Sequence, residues 1–318
     1  MEEGFKIFAG NGSIDFAQKM CEYLKVDLGN SETITFSEGN TFVRIGEKVR
    51  DKDVYIVQSI GQKPNEEFME LLFWIDAFKR ASAKTVTAIV PFFSYSKGDK
   101  KDEPRVSIRA RVCADCLEIT GIDRIITMDL HSPQIQGFFK KPVDHLYGRI
   151  VLTNFVKSLK LSNLVVVSPD AGFAKDARKF AAVLNVPVAI GDKTRTAHNE
   201  KAEVLELIGD VKGKNTLIVD DFTITCGTLT EMAKTLKKNG AKEIYACVSH
   251  GLLNEKGVER LEKSDIECLF VTDTVSNPCL KRHPKIKIIS VAPLFAQAVE
   301  IIQHKESLSR LFEVLEIQ

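Results

Sequence analysis

Apolar residues along this chain come in two kinds of run. Short strand-sized ones are "FKIFAG", "DVYIVQS", "TVTAIVPFF", "RIITMDLH", "NLVVVSPD", "VPVAI", "TLIVDD", "EIYACVSHG", "IECLFVTD" and "KIKIISV", most of them with an apolar stretch free of alternation. They predict strands covered on both faces, the signature of a parallel sheet. Between them lie segments with apolar positions at helical spacing, among them "DFAQKMCEYLKV", "NEEFMELLFWIDAFKRA", "RARVCADCLEIT", "AKDARKFAAVL", "EMAKTLKK", "GVERLEK" and "PLFAQAVEIIQH". Such alternation predicts an α/β fold of doubly wound parallel sheets. The theme restarts after Tyr147, which predicts two similar halves, 1–147 and 148–318, related by internal duplication.

One stretch combines this pattern with chemistry. In "LIVDDFTITCGTLTEMAKTLKK" (217–238), Leu217–Val219 read as a buried strand, and Leu229, Met232, Ala233 and Leu236 recur at helical spacing. The small residues Thr225, Cys226, Gly227 and Thr228 between them let a ligand approach the backbone. A strand, a small-residue turn and a helix start direct free N–H groups and a positive dipole end at one point, which suits a phosphate. Asp220 and Asp221 would repel that phosphate if they faced it, so a sugar's vicinal hydroxyls or a hydrated cation are their natural targets. A plainer reading competes, in which these acids and the Thr-Gly pair are ordinary turn and N-cap residues. No Gly-Lys-Ser/Thr closes the loop, so it is not of Walker type.

Composition narrows the partners. A length of 318 residues accommodates two domains, and Lys plus Arg total 44 against 43 Asp plus Glu, a net charge of +1. Nothing in that balance points to nucleic acid or a membrane surface. The opening "MEEGFKIFAG" lacks the basic and apolar regions of a signal peptide, and the apolar runs are strand-sized rather than membrane-spanning. Seven scattered cysteines fit a reducing, cytoplasmic setting. Cys113 and Cys116 form a CxxC on a predicted helix with no second pair at zinc spacing, which reads as packing.

Several chemistry-bearing residues fall at predicted strand ends: Asp129 and His131 after "RIITM", Asp170 after "NLVVVSP", and Asp220 and Asp221 after "TLIV". A histidine and carboxylates from separate strands could hold Mg²⁺ together with substrate oxygens; for His131 alone, a capping or core role is the competing reading. Two polar segments, Ser94–Arg105 and Gly191–Ala202, read either as solvated turns or as cationic lids over a phosphate.

The motifs "DVYIVQS", "DKKD", "IITMDLHSPQIQGFF", "VVSPDAG", "KTR", "VDDFTITCGT", "NGAKEIYA" and "ESLSRLF" fall in the order and spacing of a known family. The chain resembles the class I ribose-phosphate pyrophosphokinases over nearly its whole length. The resemblance implies transfer of the β,γ-diphosphoryl group of ATP to the 1-hydroxyl of ribose 5-phosphate, with Mg²⁺ as cofactor. It implies that Ile224, Thr225, Cys226, Gly227 and Thr228 hold the 5-phosphate and that Asp220 and Asp221 take the ribose hydroxyls. His131 and Asp170 would be Mg²⁺-associated with Asp129 assisting, and Lys193 and Arg195 would be the catalytic cations of a lid. Phe36, Glu38, Asn40, Lys97, Gly98 and Asp102 would line the ATP site, Phe36 stacking on adenine from a neighbouring subunit of a homo-hexamer built from dimers.

Four positions depart from that pattern. Ile224 stands where the family carries a third acid, Lys97-Gly98 where an Arg-Gln pair contacts ATP, Asn40 where the adenine loop has its second acid, and Pro133 where the allosteric phosphate site has a serine. Lys cannot reproduce an Arg fork, so nucleotide recognition is where this chain should differ. Two further readings follow: a non-catalytic homologue that tunes an active synthetase, and a phosphoribosyltransferase that consumes the activated sugar.

Overall fold

The computed structural model describes residues 4–195 and 203–313 and divides into two compact units. The first comprises residues 1–147 with 274–276 and 290–314, and the second residues 148–273 with 277–289 and 315–318. Among the described residues no helix is long and apolar enough to cross a membrane.

In the first unit β1 (Phe5–Ala9) leads into α1 (Ile14–Leu24) and a hairpin of β2 (Ser31–Thr35) and β3 (Thr41–Ile45). Then follow β4 (Asp53–Val57), α2 (Pro64–Arg80), β5 (Thr85–Val90), α3 (Arg109–Thr120), β6 (Arg124–Met128) and β7 (Val143–Leu146). The five-stranded sheet β1-β4-β5-β6-β7 is parallel throughout. Alternate strand residues point to opposite faces. Val54, Ile56, Val86 and Ala88 therefore meet Leu71, Trp74 and Phe78 of α2 and Ala114 and Leu117 of α3 on one side. Cys113 lies in this core, and burial pushes its thiol up to about 12, so it stays neutral. Tyr55 points the other way and receives a hydrogen bond from Gln303 at 2.7 Å. Gln303 belongs to α8 (Ala292–Gln303), which packs along α1 with Phe295 edge-on to Phe16. The strip of chain carrying α8 thus returns to the first unit although it lies near the C-terminus. An apolar helix face settles where a partner face is open, whatever its place in the sequence.

In the second unit α4 (Arg149–Ser158) precedes β8 (Leu164–Ser168), α5 (Ala174–Leu184), β9 (Val188–Arg195), β10 (Glu203–Ile208) and β11 (Asn215–Thr223). α6 (Gly227–Lys238), β12 (Ile244–Gly251), α7 (Glu255–Glu262), β13 (Ile266–Thr272) and β14 (Ile286–Ile289) complete it. The sheet order is β10-β9-β8-β11-β12-β13-β14, parallel except for the β9–β10 pair. Val165, Val167 and Ile218 face Leu229, Met232 and Leu236 of α6. Their neighbours Val166, Leu217 and Val219 face Phe180 of α5 and Val156 of α4. From β8 the chain moves to β9 on one side, and β11 then takes up the other side of β8. That reversal is a topological switch point, and open α/β sheets bind ligands at the carboxyl ends of the two strands that flank it.

A buried carboxylate ties the hairpin to the first sheet. Glu70 of α2, 5 % exposed, accepts from Asn11 N (2.9 Å), Thr33 Oγ1 of β2 (3.0 Å), Gln58 Nε2 (3.2 Å) and the Trp74 indole (3.4 Å). Four elements share this one acceptor, and removing it strands buried donors. Glu70→Ala is expected to lose about 2–4 kcal/mol of stability, read as the shift of a guanidinium unfolding midpoint, while Glu70→Gln, which keeps one acceptor, loses less. Indistinguishable midpoints for Glu70→Ala and the parent would refute the shared-acceptor role.

Candidate active site

The switch-point crevice is built from two strand ends. β8 stops at Ser168, and its last pairing with β11 is Val167↔Ile218, whereas β11 runs on through Thr223 beside β12. Asp220 and Asp221 therefore lie on the part of β11 that has left β8 behind. Opposite, the chain after β8 folds back tightly: Ser168 Oγ donates to the Asp170 carbonyl at 2.6 Å, and Phe173 N donates to Asp170 Oδ1 at 3.0 Å. Burial, the adjacent Asp221 carboxylate and, further off, that of Asp170 hold the Asp220 carboxyl far above the ordinary range, at about 8. Asp220 and Asp221 each accept from the next amide along the chain, Asp221 N at 3.0 Å and Phe222 N at 2.9 Å. Neither caps α6.

The loop that follows is anion-ready. Cys226 takes a left-handed conformation (φ 53°) at the α6 N-cap, and no side chain caps the helix. Carbonyls of the loop are engaged from behind: Thr223 O by Leu252 N (2.9 Å), Ile224 O by Asn254 N (3.1 Å), Thr225 O by Arg260 Nη1 (3.3 Å) and Cys226 O by Thr230 N (2.9 Å). Among the described residues, no N–H of Ile224–Thr228 donates to a protein group. Bound carbonyls and unbound amides at a helix start are what an anion requires. Burial pushes the Cys226 thiol up to about 11, so it serves as a neutral wall of the loop.

The remaining candidates sit on separate elements. In the first unit, β6 ends in a turn where Asp129 is left-handed (φ 39°) and Leu130 N donates to Nε2 of the buried His145 at 2.9 Å. His131 is exposed on that turn, so it is not a core histidine. Phe36, Glu38 and Asn40 cluster exposed at the tip of the β2–β3 hairpin, with Phe36 44 % exposed. Lys97 and Gly98 end a short 3-10 turn over Ser94–Gly98, and Asp102 is exposed beyond it. Lys193 and Arg195 lie on β9, the neighbour of β8 in the sheet. Residues Gly191–Arg195, read from their polar composition as loop, form strand because β10 pairs with them, Lys193 opposite Leu205 and Arg195 opposite Glu203. The rest of that proposed lid, 196–202, lies outside the described residues.

Comparison with known proteins decides the family. Residues 5–121 match the model of the N-terminal domain of ribose phosphate pyrophosphokinase, and residues 194–313 that of the phosphoribosyl synthetase-associated domain. Ribose-phosphate pyrophosphokinase from Caldanaerobacter subterraneus subsp. tengcongensis is 47 % identical over 308 residues, covering 96 % of this chain and 97 % of the relative. The Campylobacter jejuni enzyme of the same name is 43 % identical over 309 residues, covering 97 % and 99 %.

The chain belongs to the ribose-phosphate pyrophosphokinase family.

A crystal structure of phosphoribosylpyrophosphate synthetase from Mycobacterium smegmatis superposes with a TM-score of 0.89 at 37 % identity, covering 95 % of this chain and 99 % of that one.

Against the family pattern, the Lys97-Gly98 departure has a local structural correlate. A Cβ added to Gly98 would lie 2.6 Å from Arg109 Nε and 3.3 Å from its Cζ. The absent side chain at 98 makes room for a guanidinium delivered from the first residue of α3. Sequence reading missed Arg109, and it missed Asn254 and Arg260 behind the loop at 224–228. Only the last two left a trace, an Asn ahead of a short amphipathic helix.

Asp220 gives a pH signature. Its carboxyl is protonated in the native state and ionised in the unfolded chain between the ordinary aspartate value of 3.8 and about 8. The native state then binds more protons, so stability falls as pH rises through that window, by at most about 1.4 kcal/mol per unit. Asp220→Asn should therefore melt higher than the parent at pH 8 without ligands, with the gap closing towards pH 5. An equal offset at both pH values in calorimetric melting would contradict the assignment.

Proposed function

We propose that this chain transfers the β,γ-diphosphoryl group of ATP to the 1-hydroxyl of ribose 5-phosphate, forming phosphoribosyl pyrophosphate and AMP. The observation that carries the reading is the run of amides at 224–228, free of protein partners at an uncapped helix start and flanked by Asp220 and Asp221. These groups suit the two ends of a phosphosugar: amides take the 5-phosphate, and the carboxyl groups take ring hydroxyls, the raised proton affinity of Asp220 falling as hydroxyl donors satisfy it.

Catalysis of this kind is mostly positioning and electrostatics. With its tail and ring fixed, the sugar presents its anomeric oxygen for in-line attack on the β-phosphorus, and AMP departs. Negative charge spreads over the equatorial oxygens, and Lys193 and Arg195, carried on the β9–β10 hairpin, supply fixed positive charge there. Mg²⁺, when bound, neutralises phosphate oxygens. Asp170 is assigned to it together with His131, and Asp129 assists. No three acidic, histidine or cysteine side chains converge on one point among the described residues.

On the nucleotide side we assign adenine stacking to Phe36 and further contacts to Glu38, Asn40, Lys97, Gly98 and Asp102. Because Phe36 is exposed at a hairpin tip, we propose that it serves a neighbouring subunit, in a homo-oligomer of hexameric type built from dimers. A cytoplasmic location accords with the seven free thiols.

The test is direct. Purified protein with Mg²⁺, ATP and ribose 5-phosphate should release AMP in proportion to sugar. ADP as the nucleotide product would indicate an ordinary kinase, and no sugar-dependent AMP would favour a non-catalytic homologue that tunes an active synthetase. Lys193→Ala is expected to lower kcat by two to three decades, about 3–4 kcal/mol, while leaving ribose 5-phosphate binding nearly intact in calorimetry. Comparable loss of sugar binding would remove Lys193 from the catalytic role.

A further inference from the structure

The phosphate loop does not hold its shape by itself. Left-handed backbone at Cys226 and successive bends at Ile224 and Thr225 turn its carbonyls outward. An outward carbonyl returns to the crevice unless something binds it. The partners come from the segment between β12 and α7. Leu252 N and Asn254 N fix the Thr223 and Ile224 carbonyls. The Asn254 side chain accepts from Gly257 N at 2.9 Å, so the residue that holds the loop also caps α7. Buried Asn277 donates to the Gly251 and Leu253 carbonyls at 3.2 and 2.9 Å, fixing the stretch that presents Leu252.

Two residues of α7 then press directly on the loop. A Cβ added to Gly257 would lie 2.5 Å from the Ile224 carbonyl oxygen and 3.2 Å from Thr225 Cα. Real contacts do not reach the first distance, so helix and loop touch here only because residue 257 has no side chain. Arg260, one turn on, donates through Nη1 to the Thr225 carbonyl at 3.3 Å, and the same nitrogen stands 3.2 Å from where a Cβ on Gly227 would be. Its permanent charge therefore sits beside the amides of Cys226 and Gly227. Guanidinium placed there opposes any turn of the Thr225 carbonyl toward the anion and adds to the positive potential of the helix start.

We infer that α7 is the positioning element of the phosphate loop, with Gly257 setting its distance and Arg260 holding the Thr225 carbonyl out of the anion cup. Neither is a catalytic residue. Both act through the backbone of residues 224–228, so their removal should weaken recognition of the phosphosugar and leave nucleotide recognition alone. This inference rests on the phosphate-binding role proposed for that loop.

The test compares Gly257→Ala, Arg260→Ala and Arg260→Lys with the parent in steady-state kinetics and in calorimetric binding of ribose 5-phosphate. For Gly257→Ala and Arg260→Ala, the ribose 5-phosphate KM and Kd should rise about ten-fold, a change of about 1.4 kcal/mol, with the ATP KM and kcat within about three-fold of the parent. Arg260→Lys, which keeps a donor and the charge, should recover most of the lost affinity. Should Gly257→Ala fail to fold, the exposed Arg260 variants carry the test alone. Unchanged ribose 5-phosphate affinity in folded variants would overturn the inference. So would a parallel loss of sugar and ATP affinity, or an Arg260→Lys no better than Arg260→Ala. Parent protein that binds ribose 5-phosphate yet forms no AMP would sink the proposed reaction while leaving the positioning of the loop open to the binding measurement.

Discussion

The site depends on one imbalance in backbone hydrogen bonding. Across residues 223–226 the carbonyls are engaged by the protein, and across 224–228 the amides are not. Polar backbone groups near a protein interior ordinarily find partners, so a run of unpaired donors marks a place prepared for an acceptor from outside. The rest of the second unit can be understood as what maintains that run. β11 must outlast β8 to carry Asp220 and Asp221 past the sheet, α6 must begin without a side-chain cap, and α7 must stand behind. The carboxylates belong to the same logic. A second negative charge beside Asp221 would be costly in the buried empty site, so Asp220 keeps its proton there, as its raised proton affinity records, and hydroxyls or a cation relieve that cost when they arrive.

Much of this was legible because its physics is local in sequence. Unbroken apolar runs such as "LVVVS" and "TLIV" announced strands covered on both faces, and they are buried between α4–α5 and α6. Adjacent acids followed by Thr-Cys-Gly-Thr announced a strand end, a tight turn and a helix start, which the chain forms between Thr223 and Gly227, since small residues need no distant partner to express their preference. The elements that escaped were those decided by tertiary partners. β2 and β3 alternate half-exposed residues and settle into a hairpin because Thr33 reaches Glu70, 37 residues away. The end of β9, Gly191–Arg195, is polar enough to read as loop, yet pairing with β10 fixes it as strand. Arg260 meets Thr225 across 35 residues of chain, so no spacing rule connects them.

The turn at Lys97-Gly98 shows the same limit in another form. Lys97-Gly98 looks, in one dimension, like the loss of an Arg-Gln pair. In three dimensions the empty space at Gly98 is filled by the side chain of Arg109, with Nε 2.6 Å from the position of an added Cβ. A position that lacks a side chain can be a vacancy or a berth, and only the fold distinguishes them. Here the local cationic character is carried by a residue one element later, with the planar fork that lysine lacks.

These features bear on whether the chain catalyses or merely accompanies a catalyst. A subunit that only tuned a partner would gain stability by neutralising Asp220 or capping α6, because each of those changes removes a local cost and no turnover would be lost. The chain instead keeps a buried acid against an acid and, among the described residues, a run of amides with no protein partner. Strain and unsatisfied polarity persist where surrounding structure enforces them, and they concentrate at working sites. Two departures from the most stable arrangement, both within the few residues of one loop, accord with the phosphosugar pocket proposed above.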